Sequence, residues 1–374
     1  MKNKAKVIIL FLIITFFPIP SASAEQAPSF YAKNMILIEM ETGRVLYEKQ
    51  AHTRIPMAST TKIMTALVVL ETAKLEDIVT VSKRAAQIGG STMHLKQGEQ
   101  ISVKGLMYGL LLRSGNDAAI ALAEHVAGSV EAFCELMNDK AKQLGAYNTN
   151  FSSPHGLDKD NHYTTAAELA LVTKEAMQNS TFREMIATKS ISIEGHTMSN
   201  TNNLLYANNG IDGVKTGFTS KAGRCIVITA ERNGMRIIGV ILGCNSTNQR
   251  TSDGLKMTEF AYNNYEMCTL YEENSSFGKV KVEKGKAPSV NLITREAIRL
   301  PLTNDEKNNL KYEINYESVS KTEVFKGDIL GELNIKCGDE ILYTCPLYAD
   351  STCKRKTFFD YIKEIFNKWL YPIS

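Results

Sequence analysis

The sequence predicts an α/β (α+β) protein: an antiparallel sheet flanked by helices, then a small all-β domain and an amphipathic tail helix. Three observations predict it. Strand patterns stand at both ends of residues 35–243 with helical periodicity between them, as expected of a sheet covered by helices. Beyond Ser275 only short β-leaning runs occur. From Lys354 onward, apolar and polar residues alternate at helical spacing. At 374 residues, 44% hydrophobic and 22% charged, the composition is globular rather than disordered, and long enough for two cores.

The N-terminus is a separate matter. Lys2, Lys4 and Lys6 precede an apolar run from Val7 to Phe17, then Pro18, Pro20 and Ala22-Ser23-Ala24. This is the pattern of a secretory signal peptide, with cleavage expected after Ala24. The run is too short to cross a bilayer, which needs about 20 residues. Those lysines account for the whole formal charge of +3, and the rest balances at 40 basic and 40 acidic side chains. A neutral body argues against nucleic acid as a partner.

In the first domain, Met35–Tyr47 predicts two strands turning at Thr42-Gly43. Ile63, Ala66, Leu67 and Leu70 form one helix face. Further helices are expected over Val103–Arg113, Ala118–Ala127, Val130–Leu144 and Thr165–Met177. Two β-rich runs, Arg224–Ala230 and Arg236–Leu242, flank Asn233-Gly234, a hairpin signal. A helix from Thr251 to Tyr265 closes the region. The expected organisation is a signal peptide over 1–24, a first domain over 25–275, a β-sandwich over 276–350 and a tail over 351–374.

The tail has two faces. Phe358, Phe359, Ile362, Ile365, Phe366, Trp369 and Leu370 share one, while Asp360, Lys363, Glu364, Asn367 and Lys368 share the other. Lys354, Arg355 and Lys356 lead in, and the single Trp stands beside Tyr371. Such a helix suits a membrane interface; the alternative is a helix docked on its own domain. Seven cysteines include no Cys-x-x-Cys, and Cys337, Cys345 and Cys353 either hold one disulfide or stay as thiols. The six histidines show no zinc spacing, so no metal is expected.

Reactivity must come from elsewhere. Ser59 stands where the Ile63–Leu70 helix begins, and Lys62 follows at i+3 on the same side. A helix start supplies free N–H groups suited to an oxyanion, and a buried lysine near another cation loses its proton. The spacing alone is weak, since Ser276–Lys279, Ser318–Lys321 and Ser351–Lys354 repeat it. Ser59 as a mere N-cap is the bland alternative. Ser114-Gly115-Asn116 lies in a break between helices, where Asn116 either caps the second helix or points into a cleft with Ser114. Lys215-Thr216-Gly217 leads into the β section as either a turn or an edge strand. On an edge, Gly217 permits close approach of a peptide, and Lys215 both attracts an anion and lowers the Lys62 pKa.

The ordered set Ser-x-x-Lys, Ser-x-Asn and Lys-Thr-Gly is the signature of serine penicillin-binding proteins and related β-lactamases. The chain resembles the low-molecular-mass penicillin-binding proteins, serine-type D-alanyl-D-alanine carboxypeptidases, over nearly all of its mature length. Pro56–Lys62, Leu112–Ala119, Ser153–Leu157 and Asp212–Thr219 carry the likeness. The resemblance implies a β-lactamase/transpeptidase-like fold with an inserted helical subdomain. It implies Ser59 as nucleophile, Lys62 as its base, and Ser114 and Asn116 as proton relay and positioning groups. Lys215, Thr216 and Arg250 would hold the substrate carboxylate, and the N–H groups of Ser59 and Phe218 the oxyanion. Arg250 is expected just before the Thr251 helix, and His155 in a structural role. The implied substrates are peptidoglycan pentapeptide stems, with β-lactam antibiotics as covalent inhibitors, no cofactor, and residence at the outer face of the cytoplasmic membrane. Two alternatives stand: a class A-like β-lactamase, or a non-catalytic penicillin-binding sensor or scaffold. The first is disfavoured by Ser-Gly-Asn in place of Ser-Asp-Asn, by the extra β domain, and by the lack of a Glu-x-x-Leu-Asn segment between Asn116 and Lys215.

Overall fold

Apolar runs without alternation, such as Arg236–Leu242, imply strands covered on both faces, and the computed structural model bears this out. It describes residues 28–370 apart from Asn208, Lys321 and Thr322; the segment expected to be a signal peptide and Tyr371 lie outside the described residues. The first five strands used here are β1 (Asn34–Glu39), β2 (Val45–Lys49), β3 (Ile211–Thr219), β4 (Gly223–Arg232) and β5 (Met235–Cys244). They form one sheet in the order β2-β1-β5-β4-β3, with every pair antiparallel. The β4–β5 hairpin turns at Asn233-Gly234, both at positive φ, as that dipeptide predicts.

The principal helices are α1 (Lys62–Thr72), α2 (Val103–Leu111), α3 (Asn116–Ala127), α4 (Val130–Gln143), α5 (Ala166–Ala176), α6 (Ser180–Ala187) and α7 (Thr247–Asn264). One face of the sheet, with Ile36, Ile38, Ile238, Val240 and Leu242, packs into a core shared with Ile63, Met64, Leu106, Phe133 and Phe182. The other, with Met35, Leu37, Ile237 and Ile241, packs against Met257 and Ala261 of α7. Adjacent strand residues thus serve opposite cores, which explains the continuous runs. Helix α1 is buried on every side from Lys62 to Val69, so its sequence face of four apolar residues understates its coverage.

Three helix boundaries differ from expectation by two residues or more; α3 begins at Asn116 rather than Ala118, so Asn116 lies inside the helix and not in the break before it. The helix starting at Val103 stops at Leu111, because the chain then turns through Ser114 at φ +61°. Helix α7 begins at Thr247 rather than Thr251, because the Ser246 side chain accepts from the Gln249 N–H and caps it there. Arg250 therefore lies inside the first turn of α7, not before the helix.

The C-terminal part is all-β apart from one capped turn of helix at Asn304–Asn309. A six-stranded sheet spans Ser276–Ala349, and Glu266–Tyr271 pairs with Ile298–Leu302 beside it. Arg44 of the first domain bridges to Glu306 and to the Pro301 carbonyl. All seven cysteines are free thiols. The tail helix spans Phe358–Leu370; Asp360 pairs with Lys286 and Glu364 with Lys356, while Phe358, Phe359, Ile365, Phe366 and Trp369 stay exposed. No helix among the described residues is long and apolar enough to cross a membrane.

Candidate active site

Ser59 sits in a short 3₁₀ turn, Ala58–Thr61, that runs directly into α1. It is not a helix cap: neither the 3₁₀ turn nor α1 has a side-chain cap. The preceding Ala58 is held at φ +49°, a strained conformation for a non-glycine residue. Two glycines crowd this turn. A side chain at Gly156 would meet the Ala58 carbonyl, and one at Gly217 would lie 2.9 Å from the Ser59 nitrogen. Gly217 does lie on an edge strand, and its missing side chain makes room for the Ser59 turn.

Lys62 is fully buried, and its Nζ has three partners: Ser59 Oγ at 3.0 Å, Asn116 Oδ1 at 2.8 Å and the His155 carbonyl at 2.7 Å. Burial first, and then the Lys215 charge, hold its pKa well below the usual lysine range, with Asp117 opposing. A neutral amine has two N–H donors and one lone pair. With Asn116 and the His155 carbonyl taking the two donors, the lone pair faces Ser59 Oγ. The arrangement can therefore remove a proton from Ser59.

The same geometry resolves Asn116. Gly115 is the N-cap of α3, and Asn116 is its first residue, with its amide turned inward. Its Nδ2 donates to the Gly89 carbonyl at 2.8 Å, which orients the oxygen toward Lys62. Ser114 is buried and close by in sequence, and its hydroxyl forms no hydrogen bond among the described residues, which leaves it free for a ligand. Buried Asp117 pins the adjoining loop by accepting from the N–H groups of Met93 and Leu95.

His155 acts through its backbone, and burial followed by the Lys62 charge pushes its imidazole pKa down to about 3. That neutral ring accepts from the Leu157 N–H at 3.2 Å and shapes the Ser153–Leu157 loop. Thr65 of α1 donates to the Pro154 carbonyl at 2.6 Å and staples the same loop.

On β3, Lys215 is buried, and its Nζ donates to the Thr216 carbonyl at 3.1 Å. Burial, and then the Arg250 charge, bring its pKa down to about 7. Arg250 is 7% exposed, and its Nε has no hydrogen-bond partner in the described structure. Burial, then the neighbouring Arg224 charge, lower its pKa. Thr216 Oγ1 lies 2.9 Å from Thr201 Oγ1. Phe218 is half exposed, with the Arg224 guanidinium stacked 3.7 Å from its ring centre. The structure thus gathers Ser59, Lys62 and Asn116 into direct contact. It aligns Lys215, Thr216, Gly217 and Phe218 along one edge, with Arg250 within electrostatic reach of Lys215. Sequence reasoning missed Thr201, the Gly89 carbonyl and Arg224. Only the Gly89-Gly90 pair carried a local signal, that of a turn.

Residues 21–246 match the family model described as D-alanyl-D-alanine carboxypeptidase. The chain belongs to this family. Residues 265–355 match the C-terminal domain of penicillin-binding protein 5, and the tail helix lies beyond both matches. The chain is 36% identical to D-alanyl-D-alanine carboxypeptidase DacF of Bacillus subtilis, over 96% of each chain. It is 34% identical to DacC of Escherichia coli, over 92% of this chain and 90% of that protein. Among solved structures it resembles penicillin binding protein 5 from Haemophilus influenzae with a TM-score of 0.81 and 28% identity, over 88% of this chain and 99% of that one. The enzyme is a serine-type D-alanyl-D-alanine carboxypeptidase, a hydrolase of the cell wall.

Proposed function

We propose that Ser59 is the nucleophile that attacks the carbonyl between the two D-alanines of a peptidoglycan stem peptide. The observation that carries this is the buried Lys62 Nζ, 3.0 Å from Ser59 Oγ and bonded to Asn116 Oδ1 and the His155 carbonyl, with its pKa held well below the usual lysine range by burial. Lys62 takes the Ser59 proton, and the new oxyanion rests between the N–H groups of Ser59 and Phe218. The close approach of Gly217, where an added Cβ would lie 2.9 Å from the Ser59 nitrogen, supports that pairing of β3 with the 3₁₀ turn. Such preorganised donors are worth about 3–4 kcal/mol each in other enzymes. Ser114 passes the proton to the departing amine, D-alanine leaves, and water hydrolyses the acyl-serine with Lys62 again as base. Lys215, Thr216 and Arg250 hold the terminal carboxylate. The orphaned Arg250 Nε supports an anionic ligand.

The test is Ser59→Ala. The variant is expected to release no D-alanine from a D-Ala-D-Ala peptide and to take no covalent β-lactam label; undiminished labelling would remove Ser59 from the role. Among the described residues no carboxylate hydrogen-bonds to Ser59 or Lys62. Deacylation of a penicilloyl adduct is therefore expected to be slow, unlike in a β-lactamase.

The same reading makes the enzyme an exported one, cleaved after Ala24 and held at the outer face of the cytoplasmic membrane. The tail helix supports this: its acidic face pairs with Lys286 and Lys356, leaving Phe359, Ile365 and Trp369 turned outward. A chain ending at Lys356 is expected to leave the membrane fraction; continued sedimentation with membranes would rule the anchor out.

A further inference from the structure

Five of the twelve arginines pair with a carboxylate, Arg299 with Glu41 among them, and Arg54, Arg113, Arg183 and Arg295 bond instead to carbonyl oxygens. Arg44, Arg84, Arg232 and Arg236 each pair with a carboxylate: Glu306, Glu131, Glu259 and Asp212. At the end of the β3–β4 ribbon the pattern reverses. The Arg250 charge acts on Lys215 and the Arg224 charge on Arg250, yet among the described residues no carboxylate pairs with any of the three. Concentrating like charge without counterions opposes folding, and a site that accepts an anion recovers that cost on binding.

The three cations differ in depth. Lys215 and Arg250 are 1% and 7% exposed, whereas Arg224 is only partly buried. Arg224 lies opposite Phe218 in the antiparallel register, and its guanidinium stacks 3.7 Å from the centre of that half-exposed ring. Stacking uses the face of the guanidinium and leaves its in-plane N–H fork unengaged.

We propose that Arg224 is a further carboxylate-recognising residue of the active site, which captures the C-terminal carboxylate of the substrate at the cleft mouth before Lys215 and Arg250 enclose it. Phe218 is the platform that presents its guanidinium fork. The inference rests on the carboxypeptidase reading for the identity of the anion. Arg224 acts on capture, so its loss raises KM and reduces the salt dependence of kcat/KM, leaving the chemical step at Ser59 largely intact.

The experiment compares the full-length enzyme with Arg224→Gln and Arg224→Lys. KM and kcat for a D-Ala-D-Ala peptide are measured at low and moderate salt, alongside Ser59 acylation by benzylpenicillin and by its methyl ester. Arg224→Gln is expected to raise KM about fivefold, hold kcat within about twofold and flatten the salt response. It should slow acylation by the free acid by a similar factor while sparing the ester, with Arg224→Lys in between. Unchanged KM and salt response, or equal slowing of acid and ester, would overturn the proposal. If the native enzyme released no D-alanine, the carboxypeptidase reading would fall, while the acid–ester comparison would still decide Arg224.

Discussion

At the starts of α2, α4, α5 and α7, the side chains of Ser102, Ser129, Thr165 and Ser246 each accept a backbone N–H three residues on. At the starts of α1 and α3, the same kinds of side chain do something else. Ser59 and Asn116 leave their helix N–H groups without a side-chain cap and meet at the Lys62 amine instead. Forgoing a cap costs about 1 kcal/mol per helix. The rest of the structure carries that cost, and two strained residues besides, Ala58 at φ +49° and Ser114 at φ +61°. Capped and uncapped starts therefore separate structural polar groups from those proposed to act in catalysis more sharply than residue type does.

The largest expected break of this contrast is Lys62→Met. It keeps the apolar stem but removes the shared amine, so kcat is expected to fall by about 10³ or more while the fold persists. Single-turnover acylation by a β-lactam measures this directly, and a loss under tenfold would mean that another base serves Ser59.

A pH series comes next. A lysine whose pKa is depressed on folding binds fewer protons in the native than in the unfolded state, so stability rises with pH. For Lys215 the penalty is complete below about 7 and fades between there and the ordinary lysine value of 10.5. The same deprotonation removes a charge from the proposed carboxylate site. KM for a D-Ala-D-Ala peptide is therefore expected to climb by up to about tenfold above pH 7, and a flat profile would show that Lys215 stays charged throughout.

Thr201→Val sharpens the comparison at smaller scale. It removes the 2.9 Å partner of Thr216 without touching Ser59 or Lys62. KM is expected to rise about threefold with kcat little changed, as for loss of one net hydrogen bond; equal loss in both would point to general disorder of β3. The smallest effect belongs to the structural class. Ser129→Ala removes the side chain that accepts the Ala132 N–H at 3.1 Å. It should lower unfolding free energy by about 1 kcal/mol and leave kcat/KM unchanged.

Much of this was legible in the sequence, for identifiable reasons. Helix periodicity located α1 to α5 within a few residues, and the Asn233-Gly234 turn located the β4–β5 hairpin, because local patterns encode local geometry. Ser59, Lys62, Ser114, Asn116 and Lys215 were legible as spaced motifs. Arg250 was found but misplaced, because the Ser246 cap, one turn earlier, was overlooked. Gly217 was legible in its motif, but its closeness to the Ser59 turn was not, since nothing in the sequence says which backbone will press against it.

By itself the sequence determined the layers, the helical middle and the residue types available for acyl chemistry, because burial and periodicity act over a few turns of chain. Tertiary structure alone decided what those residues meet. The Lys62 amine needs the His155 carbonyl from 93 positions away and the Asn116 amide from 54 positions away before its lone pair has a direction. The Lys215 ammonium needs burial and the Arg250 charge before its pKa falls to about 7. Both properties arise from distances across the folded chain, which spacing along the sequence does not contain.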